Sequence, residues 1–105
     1  MSDTLSRLEK TIAERRTAAP ETSYVASLNA KGLPKIAQKM GEEATETVIA
    51  ALAGSREELA GEAADLLFHL MVLLGAKDVT LTEVLAELDR REGTSGIDEK
   101  NSRRV

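Results

Sequence analysis

Four acidic residues fall where two consecutive amphipathic segments would otherwise carry apolar side chains. They form two pairs with the same spacing, Glu43-x-x-Glu46 and Glu62-x-x-Asp65. With 3.6 residues per turn, positions three, four or seven apart share one face of a helix. Each pair therefore lies on or beside the face that its helix buries. The spacing predicts a cluster of carboxylates between two packed helices.

The apolar stripes of the two segments show why such positions are unusual. The first stripe consists of Ile36, Met40, Ala44 and Thr47, and the second of Leu59, Leu66, Leu70 and Leu73. Glu43 interrupts the first stripe and Glu62 interrupts the second. An unpaired buried carboxylate costs several kcal/mol, and two carboxylates about 5 Å apart repel by about 3 kcal/mol at an effective dielectric constant near 20. The cluster therefore requires compensating positive charge.

Basic side chains or divalent cations can supply that charge. Lys35 and Lys39 are near in sequence, but they project toward Glu42 and Glu46 rather than into the stripe of Glu43. A set of carboxylate ligands suits a hard cation, Mg²⁺ or Mn²⁺. Because Mg²⁺ usually takes one or two protein carboxylates together with substrate phosphates, four acids predict two or more ions, some arriving with a polyphosphate. Such ions neutralise phosphoryl oxygens and activate water.

Several neighbouring residues have more than one interpretation. Glu42 is a further ligand, the general base for the attacking water, or a surface acid paired with a lysine. His69, the single histidine, lies four residues after Asp65. It either orients that metal ligand without contacting the metal itself or is a satisfied, half-buried histidine. Tyr24 is a core residue or stacks on a base. Lys35 and Lys39 bind phosphates as point charges or are ordinary solvated lysines.

The segments that would position these residues all have helical periodicity, so the predicted fold class is all-α, a bundle of four to five helices. The predicted helices cover residues 3–17, a short stretch from Ser23 to near Gly32, 34–52 with Pro34 in first position, 55–76 and 80–92. Ser55 with Glu58 and Thr80 with Glu83 form capping-box patterns at two helix starts. Gly41 lies inside a helix, where it costs about 1 kcal/mol against Ala, so it needs a packing or functional reason.

Length and composition indicate one small domain, residues 1–105, with a polar tail over 94–105 that we expect to be a loop or a mobile tail. With one Tyr, one Phe and no Trp, the core must be built from aliphatic residues and Ala. A thin bundle of this kind often completes its core with a second copy, so we expect a homodimer. Lys100, Arg103 and Arg104 make the tail basic. The tail either closes over an anionic substrate or is an ordinary charged terminus.

Composition also excludes several classes of function. Fourteen basic and 18 acidic residues give a net charge of −4, which argues against a protein that binds polymeric nucleic acid. The absence of cysteine excludes disulfides, thiolate metal sites and a cysteine nucleophile. The polar start, Met1 to Lys10, is unlike a signal peptide, and the apolar run from Leu66 to Ala76 is too short to span a bilayer. We therefore expect a soluble cytoplasmic protein with no membrane partner.

Three stretches match a known pattern, and the likeness around them runs from about Leu5 to Arg103, nearly the full chain. They are Ser23-Tyr24, Leu28, Gly32, Lys35-Ile36-Ala37-Gln38-Lys39, Gly41-Glu42-Glu43-Ala44 and Glu46-Thr47; Gly61-Glu62, Asp65-Leu66-Leu67 and His69-Leu70; and Arg91-Glu92-Gly93-Thr94-Ser95-Gly96 with Glu99-Lys100 and Ser102-Arg103. The chain resembles the phosphoribosyl-ATP pyrophosphohydrolases. The acid pattern alone is typical of the wider all-α nucleoside triphosphate pyrophosphatase superfamily, which includes MazG-like proteins. The run over 35–39 and the tail narrow the resemblance to the phosphoribosyl-ATP pyrophosphohydrolases within that superfamily.

The resemblance implies hydrolysis of phosphoribosyl-ATP between its α and β phosphates, giving phosphoribosyl-AMP and pyrophosphate in the second step of histidine biosynthesis. It also implies Mg²⁺, a homodimer and a cytoplasmic location. Carried over by motif, the metal ligands are Glu43, Glu46, Glu62 and Asp65, and the substrate-binding residues are Lys35, Lys39, Lys100 and Arg103. Glu42 and Glu43 are the candidates for catalysis, and which glutamate activates the water stays open.

Three other interpretations compete with this one. A house-cleaning pyrophosphatase of the same superfamily would use the same metal site on dNTPs or NTPs, and only its substrate preference would differ. A di-iron carboxylate bundle needs Glu-x-x-His motifs on two helices, and this sequence has none. A helical interaction module would carry the same acids on separate, solvated surfaces.

Overall fold

Every regular element is an α-helix in the computed structural model, which describes residues 3–93 and 96–102. The helices are α1 (Asp3–Arg15), α2 (Tyr24–Lys31), α3 (Leu33–Ala53), α4 (Arg56–Ala76), α5 (Leu81–Arg90) and α6 (Gly96–Ser102). The all-α prediction is confirmed. Five of the helices correspond to the predicted ones, with ends that differ by one or two residues, as fraying helix termini usually do.

The predicted helix starts have the expected capping bonds. At the start of α4, the Glu58 backbone N–H donates to Ser55 Oγ at 3.1 Å, and the Ser55 N–H donates to Glu58 Oε1 at 2.7 Å. Thr80 and Glu83 form the same reciprocal pair at the start of α5. Both capping boxes satisfy backbone donors that have no partner inside the helix. Local sequence therefore determines where these two helices begin.

The helices α3 and α4 form a long hairpin that is the centre of the fold. Each has 21 residues, and only Gly54 and Ser55 separate them, so they run antiparallel and pack along their length. A Cβ atom on Gly54 would lie 2.7 Å from Glu58 Oε1 and 3.0 Å from the Ala50 carbonyl oxygen. A larger residue there would crowd the Ala50 carbonyl and the Glu58 cap, and the two-residue link limits how the two helices can align.

The hydrophobic core covers only one half of this hairpin. It consists of Ile12, Val25, Leu28, Ile36, Met71, Val72 and Leu81. These residues gather α1, α2 and α5 around the N-terminal part of α3 and the C-terminal part of α4. At the other half of the hairpin Val48, Ile49 and Leu52 are exposed, Leu52 by 83 %. The single chain therefore leaves an apolar face of the hairpin uncovered.

By length and composition alone, α4 is the one helix of the described ranges that resembles a membrane span, and 17 % of its most apolar stretch is buried. A core helix of a bundle meets the same criterion. In α4, the acids Glu62 and Asp65 lie within the apolar sequence, and carboxylates are costly inside hydrocarbon. The apolar surface of α4 is better explained by packing against protein.

The polar tail differs from the expected loop, because Gly96–Ser102 forms the short helix α6. No apolar periodicity predicts this helix. Asp98 near its N-terminus and Lys100 in its last turn complement the helix dipole, which is a weak local preference. At Gly41, for which a packing or functional reason was expected, a Cβ atom would meet nothing within 4 Å. No packing reason for this glycine exists among the described residues.

Candidate metal centre

Three of the predicted acids converge between α3 and α4. Glu43, Glu62 and Asp65 each place one carboxylate oxygen within 4.8 Å of the other two. Glu43 is buried, Glu62 is partly buried and Asp65 is exposed, so the cluster opens to solvent on the Asp65 side. The acids therefore do not point from separate surfaces, as an interaction module with solvated acids would require.

Two oxygens of this cluster have no hydrogen-bond partner. Glu43 Oε1 and Glu62 Oε1 are buried and unpaired among the described residues. A buried carboxylate oxygen without a donor is unfavourable, and such atoms call for a specific explanation. Oxygen atoms that converge without protons between them are a suitable ligand set for a hard divalent cation. The geometry thus fits the cation that the sequence predicts.

Glu46 joins the same site through its electrostatic effect on Glu62. Burial is the main cause that raises the pKa of Glu62, and the neighbouring carboxylate of Glu46 raises it further, followed by Glu43 and Asp65. Like charges held close together disfavour ionisation. The structure therefore brings together all four acids that the sequence singled out as ligands.

A threonine hydroxyl ties the two helices together beside the acids. Thr47 Oγ lies 2.8 Å from the Glu43 carbonyl oxygen and 3.1 Å from the Glu62 carbonyl oxygen, so its proton is shared between its own helix and the opposite one. This contact holds the backbone of Glu62 against the turn that carries Glu43. The sequence placed Thr47 on the buried stripe, but the stripe does not reveal the cross-helix bond.

Glu42 lies outside the cluster and is held at the surface. Its carboxylate accepts a hydrogen bond from Gln38 Nε2 at 2.8 Å and lies 3.4 Å from Lys39 Nζ. These partners, Gln38 first, lower the pKa of Glu42, and the charge of Lys35 contributes in the same direction. Among the three interpretations of Glu42, the structure matches the exposed, ion-paired acid. It also places Lys35 and Lys39 on the side that their sequence positions predict.

His69 and Tyr24 form a polar contact one turn from the acids. His69 is buried, and its Nδ1 lies 2.7 Å from the Asp65 backbone carbonyl oxygen. Its Nε2 lies 2.9 Å from the Tyr24 hydroxyl, and the Tyr24 ring packs against Phe68 with centroids 6.0 Å apart. The histidine is therefore satisfied and does not touch the Asp65 carboxylate. Tyr24 is about half exposed, so it is not a plain core residue.

Of the predicted basic tail residues, the structure describes only Lys100. Lys100 lies exposed on α6 and makes no hydrogen bond or ion pair with any residue in the described ranges. Arg103 lies outside the described residues, as does Arg104. The substrate-binding role of Lys100 and Arg103 therefore stays a prediction.

A cavity larger than the pocket beside the acids lies elsewhere among the described residues. A cavity of about 610 Å³ lies between α1, the end of α4 and the start of α5, and none of the four acids lines it. A smaller pocket of about 310 Å³ adjoins the cluster, with Glu46 and Glu62 on its wall beside Ile49 and Ala50. The acids thus border an open space with an apolar wall.

Comparison with known proteins agrees with this geometry. The family model described as phosphoribosyl-ATP pyrophosphohydrolase matches residues 5–92. A protein of Novosphingobium aromaticivorans is 78 % identical over 99 residues, covering 94 % of this chain and 92 % of the relative. Relatives from Erythrobacter litoralis and Rhizorhabdus wittichii are 72 % and 69 % identical, covering 96 % and 98 % of this chain and 97 % of each relative. All three carry the name phosphoribosyl-ATP pyrophosphatase.

Proposed function

Since the chain belongs to the phosphoribosyl-ATP pyrophosphohydrolase family, we propose that its acid cluster is where phosphoribosyl-ATP is hydrolysed between the α and β phosphates. The enzyme is a phosphoanhydride hydrolase, and its products are phosphoribosyl-AMP and pyrophosphate. This reaction belongs to histidine biosynthesis. The observation that carries the assignment to this site is the convergence of Glu43, Glu62 and Asp65 within 4.8 Å.

The ligands in this proposal are Glu43, Glu46, Glu62 and Asp65, and the ion is Mg²⁺, with Mn²⁺ as the closest substitute. The unpaired oxygens of Glu43 and Glu62 support the proposal because a cation would satisfy both. When bound, the ion supplies charge neutralisation for the phosphates and activation of water. In this proposal the nucleotide enters from the side of Asp65, because that carboxylate is the exposed one of the cluster.

The protein contributes orientation and charge around this cluster. The Thr47 hydroxyl keeps the carboxylates of the two helices at a fixed offset. Lys35 and Lys39 provide positive charge on the neighbouring turns of α3, where they can contact phosphate oxygens.

Glu42 and Glu43 are the two candidates for accepting the proton of the attacking water. An exposed carboxylate with a lowered pKa is a weak proton acceptor, and Glu42 is of this kind. This favours a residue of the cluster, Glu43, as the catalytic glutamate.

We propose a homodimer in which the uncovered half of the α3–α4 hairpin packs against a second copy. The support is the exposed apolar face formed by Val48, Ile49 and Leu52 on α3, with Leu67 on α4. Leu52 lies three residues after Ile49 and four after Val48, so these three side chains share one face of α3. A pair of hairpins makes a four-helix bundle, the arrangement that buries such a face.

The remaining proposals concern partners and location. The substrate is a free nucleotide rather than polymeric nucleic acid, which the net charge of −4 supports. A cytoplasmic location without a membrane partner suits an enzyme of amino-acid biosynthesis. It also accommodates α4 as a packed helix of the bundle.

Pyrophosphate release from phosphoribosyl-ATP, with and without Mg²⁺, tests the function directly. We expect turnover only with the metal, and at a higher kcat/KM than for any member of a panel of dNTPs and NTPs. Higher kcat/KM for a dNTP would instead identify a house-cleaning pyrophosphatase of the same superfamily. The proposed site is wrong if Glu43→Gln and Glu62→Gln both retain full turnover while staying folded.

A further inference from the structure

The contact between Tyr24 and His69 determines what the tyrosine hydroxyl can bind. A carbonyl oxygen only accepts hydrogen bonds, so the 2.7 Å contact with the Asp65 carbonyl requires the proton on His69 Nδ1. In a neutral imidazole, Nε2 is then the acceptor. The Tyr24 hydroxyl, 2.9 Å away, must donate its proton to this nitrogen. The phenol oxygen therefore keeps only lone pairs for any other partner.

Tyr24 is open to solvent on one side, so a ligand can approach it. As a residue it is 48 % exposed, whereas His69 is 6 % exposed. Packing of the ring against Phe68 and edge-on against His69 keeps the phenol in place. Phosphate oxygens carry almost no protons at neutral pH, so they cannot donate to the phenol. A hydroxyl or amino group of a ligand can.

The phenol lies at one defined end of the acid cluster. Because α3 and α4 are antiparallel, the turn after Asp65 on α4 and the turn before Glu43 on α3 lie at the same end. His69 is four residues after Asp65 and Lys39 is four residues before Glu43, which is about 6 Å of helix rise. The Lys39 ammonium group lies on this turn, 3.4 Å from the Glu42 carboxylate.

A nucleotide bound through its phosphates at the acids has its ribose one ester linkage away. The ribose is also the part of a nucleotide that presents hydroxyl donors next to the α phosphate. We propose that the Tyr24 oxygen accepts a hydrogen bond from a ribose hydroxyl of the substrate, and that His69 is a positioning residue that keeps the phenol an acceptor. The site thereby prefers ribonucleotides to deoxyribonucleotides. This inference rests on the proposed function of the acid cluster.

The test combines deletion of the phenol hydroxyl with deletion of the substrate hydroxyls. Wild type and Tyr24→Phe are assayed with phosphoribosyl-ATP and with its 2′-deoxy and 3′-deoxy adenosine analogues. For one analogue we expect a five- to tenfold lower kcat/KM with wild type, the size of one neutral hydrogen bond. Tyr24→Phe should show the same loss with the full substrate and no preference between it and that analogue. The change should fall mainly on KM, because the contact forms already in the bound ground state.

Two substitutions of His69 test its positioning role. His69→Gln offers an amide oxygen that can accept the phenol proton, so most of the ribose preference should remain. His69→Leu has a similar size and no acceptor, so the preference should fall to that of Tyr24→Phe. Circular dichroism checks the fold of each variant. If His69→Leu folds and keeps the full preference, the role of His69 is wrong.

The outcomes separate this inference from the proposed function. Parallel losses for all three substrates in Tyr24→Phe, or no loss at all, would refute the ribose contact while leaving the hydrolase activity intact. If wild type turns over another ribonucleoside triphosphate and not phosphoribosyl-ATP, the proposed substrate is wrong. The same comparison is then made with that nucleotide and its deoxy forms. A chain that turns over no nucleotide would refute both.

Discussion

Replacing Glu43 by glutamine should stabilise the metal-free protein while removing its response to Mg²⁺. Glu43 is buried with one oxygen unpaired, and an Asp65 carboxylate oxygen lies within 4.8 Å. Two unit charges 4.8 Å apart repel by about 1 kcal/mol in bulk water and by about 3 kcal/mol at an effective dielectric constant of 20. Glutamine has the same shape, carries no charge and offers N–H donors to the neighbouring carboxylates.

The lower of the two repulsion energies already predicts a measurable change in Tm. Because Asp65 is exposed, solvent screens the pair and about 1 kcal/mol is the conservative value. For a domain of this size, 1 kcal/mol corresponds to a rise in Tm of about 4–8 °C. Adding Mg²⁺ should then raise the Tm of wild type through binding to the folded state, whereas Glu43→Gln should gain little. We therefore expect Glu43→Gln to have the higher Tm without metal and wild type to have the higher Tm with Mg²⁺.

Thermal unfolding followed by circular dichroism, at one protein concentration and with either EDTA or Mg²⁺, measures both effects. Glu14→Gln is the matched control, since Glu14 is an exposed residue of α1 and its substitution removes the same charge away from the cluster. Its free energy of unfolding should change by no more than about 0.5 kcal/mol. If Glu43→Gln lowers the Tm in EDTA and keeps the full Mg²⁺ response, the carboxylate cluster is not a cation site.

Four further predictions address the same site and its surroundings. The pKa of Glu62 is raised from its ordinary value of 4.5, so the folded state binds this proton more tightly than the unfolded state does. Lowering the pH from 7 to 5 should therefore stabilise the metal-free protein, and saturating Mg²⁺ should abolish this gain. A fall in the stability of the metal-free protein between pH 7 and pH 5 would contradict the prediction. Glu42→Gln should reduce kcat less than tenfold and Glu43→Gln more than 100-fold; equal losses would return Glu42 to the role of base. Leu52→Glu should convert a dimer to a monomer in sedimentation equilibrium, and a wild type that sediments as one copy refutes the proposed interface. Gly41→Ala should raise the stability of α3 by about 1 kcal/mol in chemical denaturation, since nothing lies within 4 Å of the added methyl group; a lower stability would reveal a packing role.

The helices and the acid pairs could be predicted from sequence because both depend on local spacing. The capping boxes at Ser55 and Thr80 satisfy donors within their own first turn, so four consecutive residues contain all the necessary information. The interruption of two apolar stripes by Glu43 and Glu62 likewise follows from the helical period. The short helix α6 was not predicted, because its seven residues contain one large apolar side chain, Ile97, and therefore have no apolar periodicity to reveal it.

Only the tertiary structure decides which side chains meet, because a helical period defines faces but not the offset between two helices. That offset depends on the tight link at Gly54 and on the bond from Thr47 to the opposite helix. It places Glu43 with Asp65 and leaves Glu42 outside with Lys39. The contact of Tyr24 with His69 joins residues 45 positions apart. Such pairings arise when the core draws α2 against the α3–α4 hairpin, and no local pattern contains them.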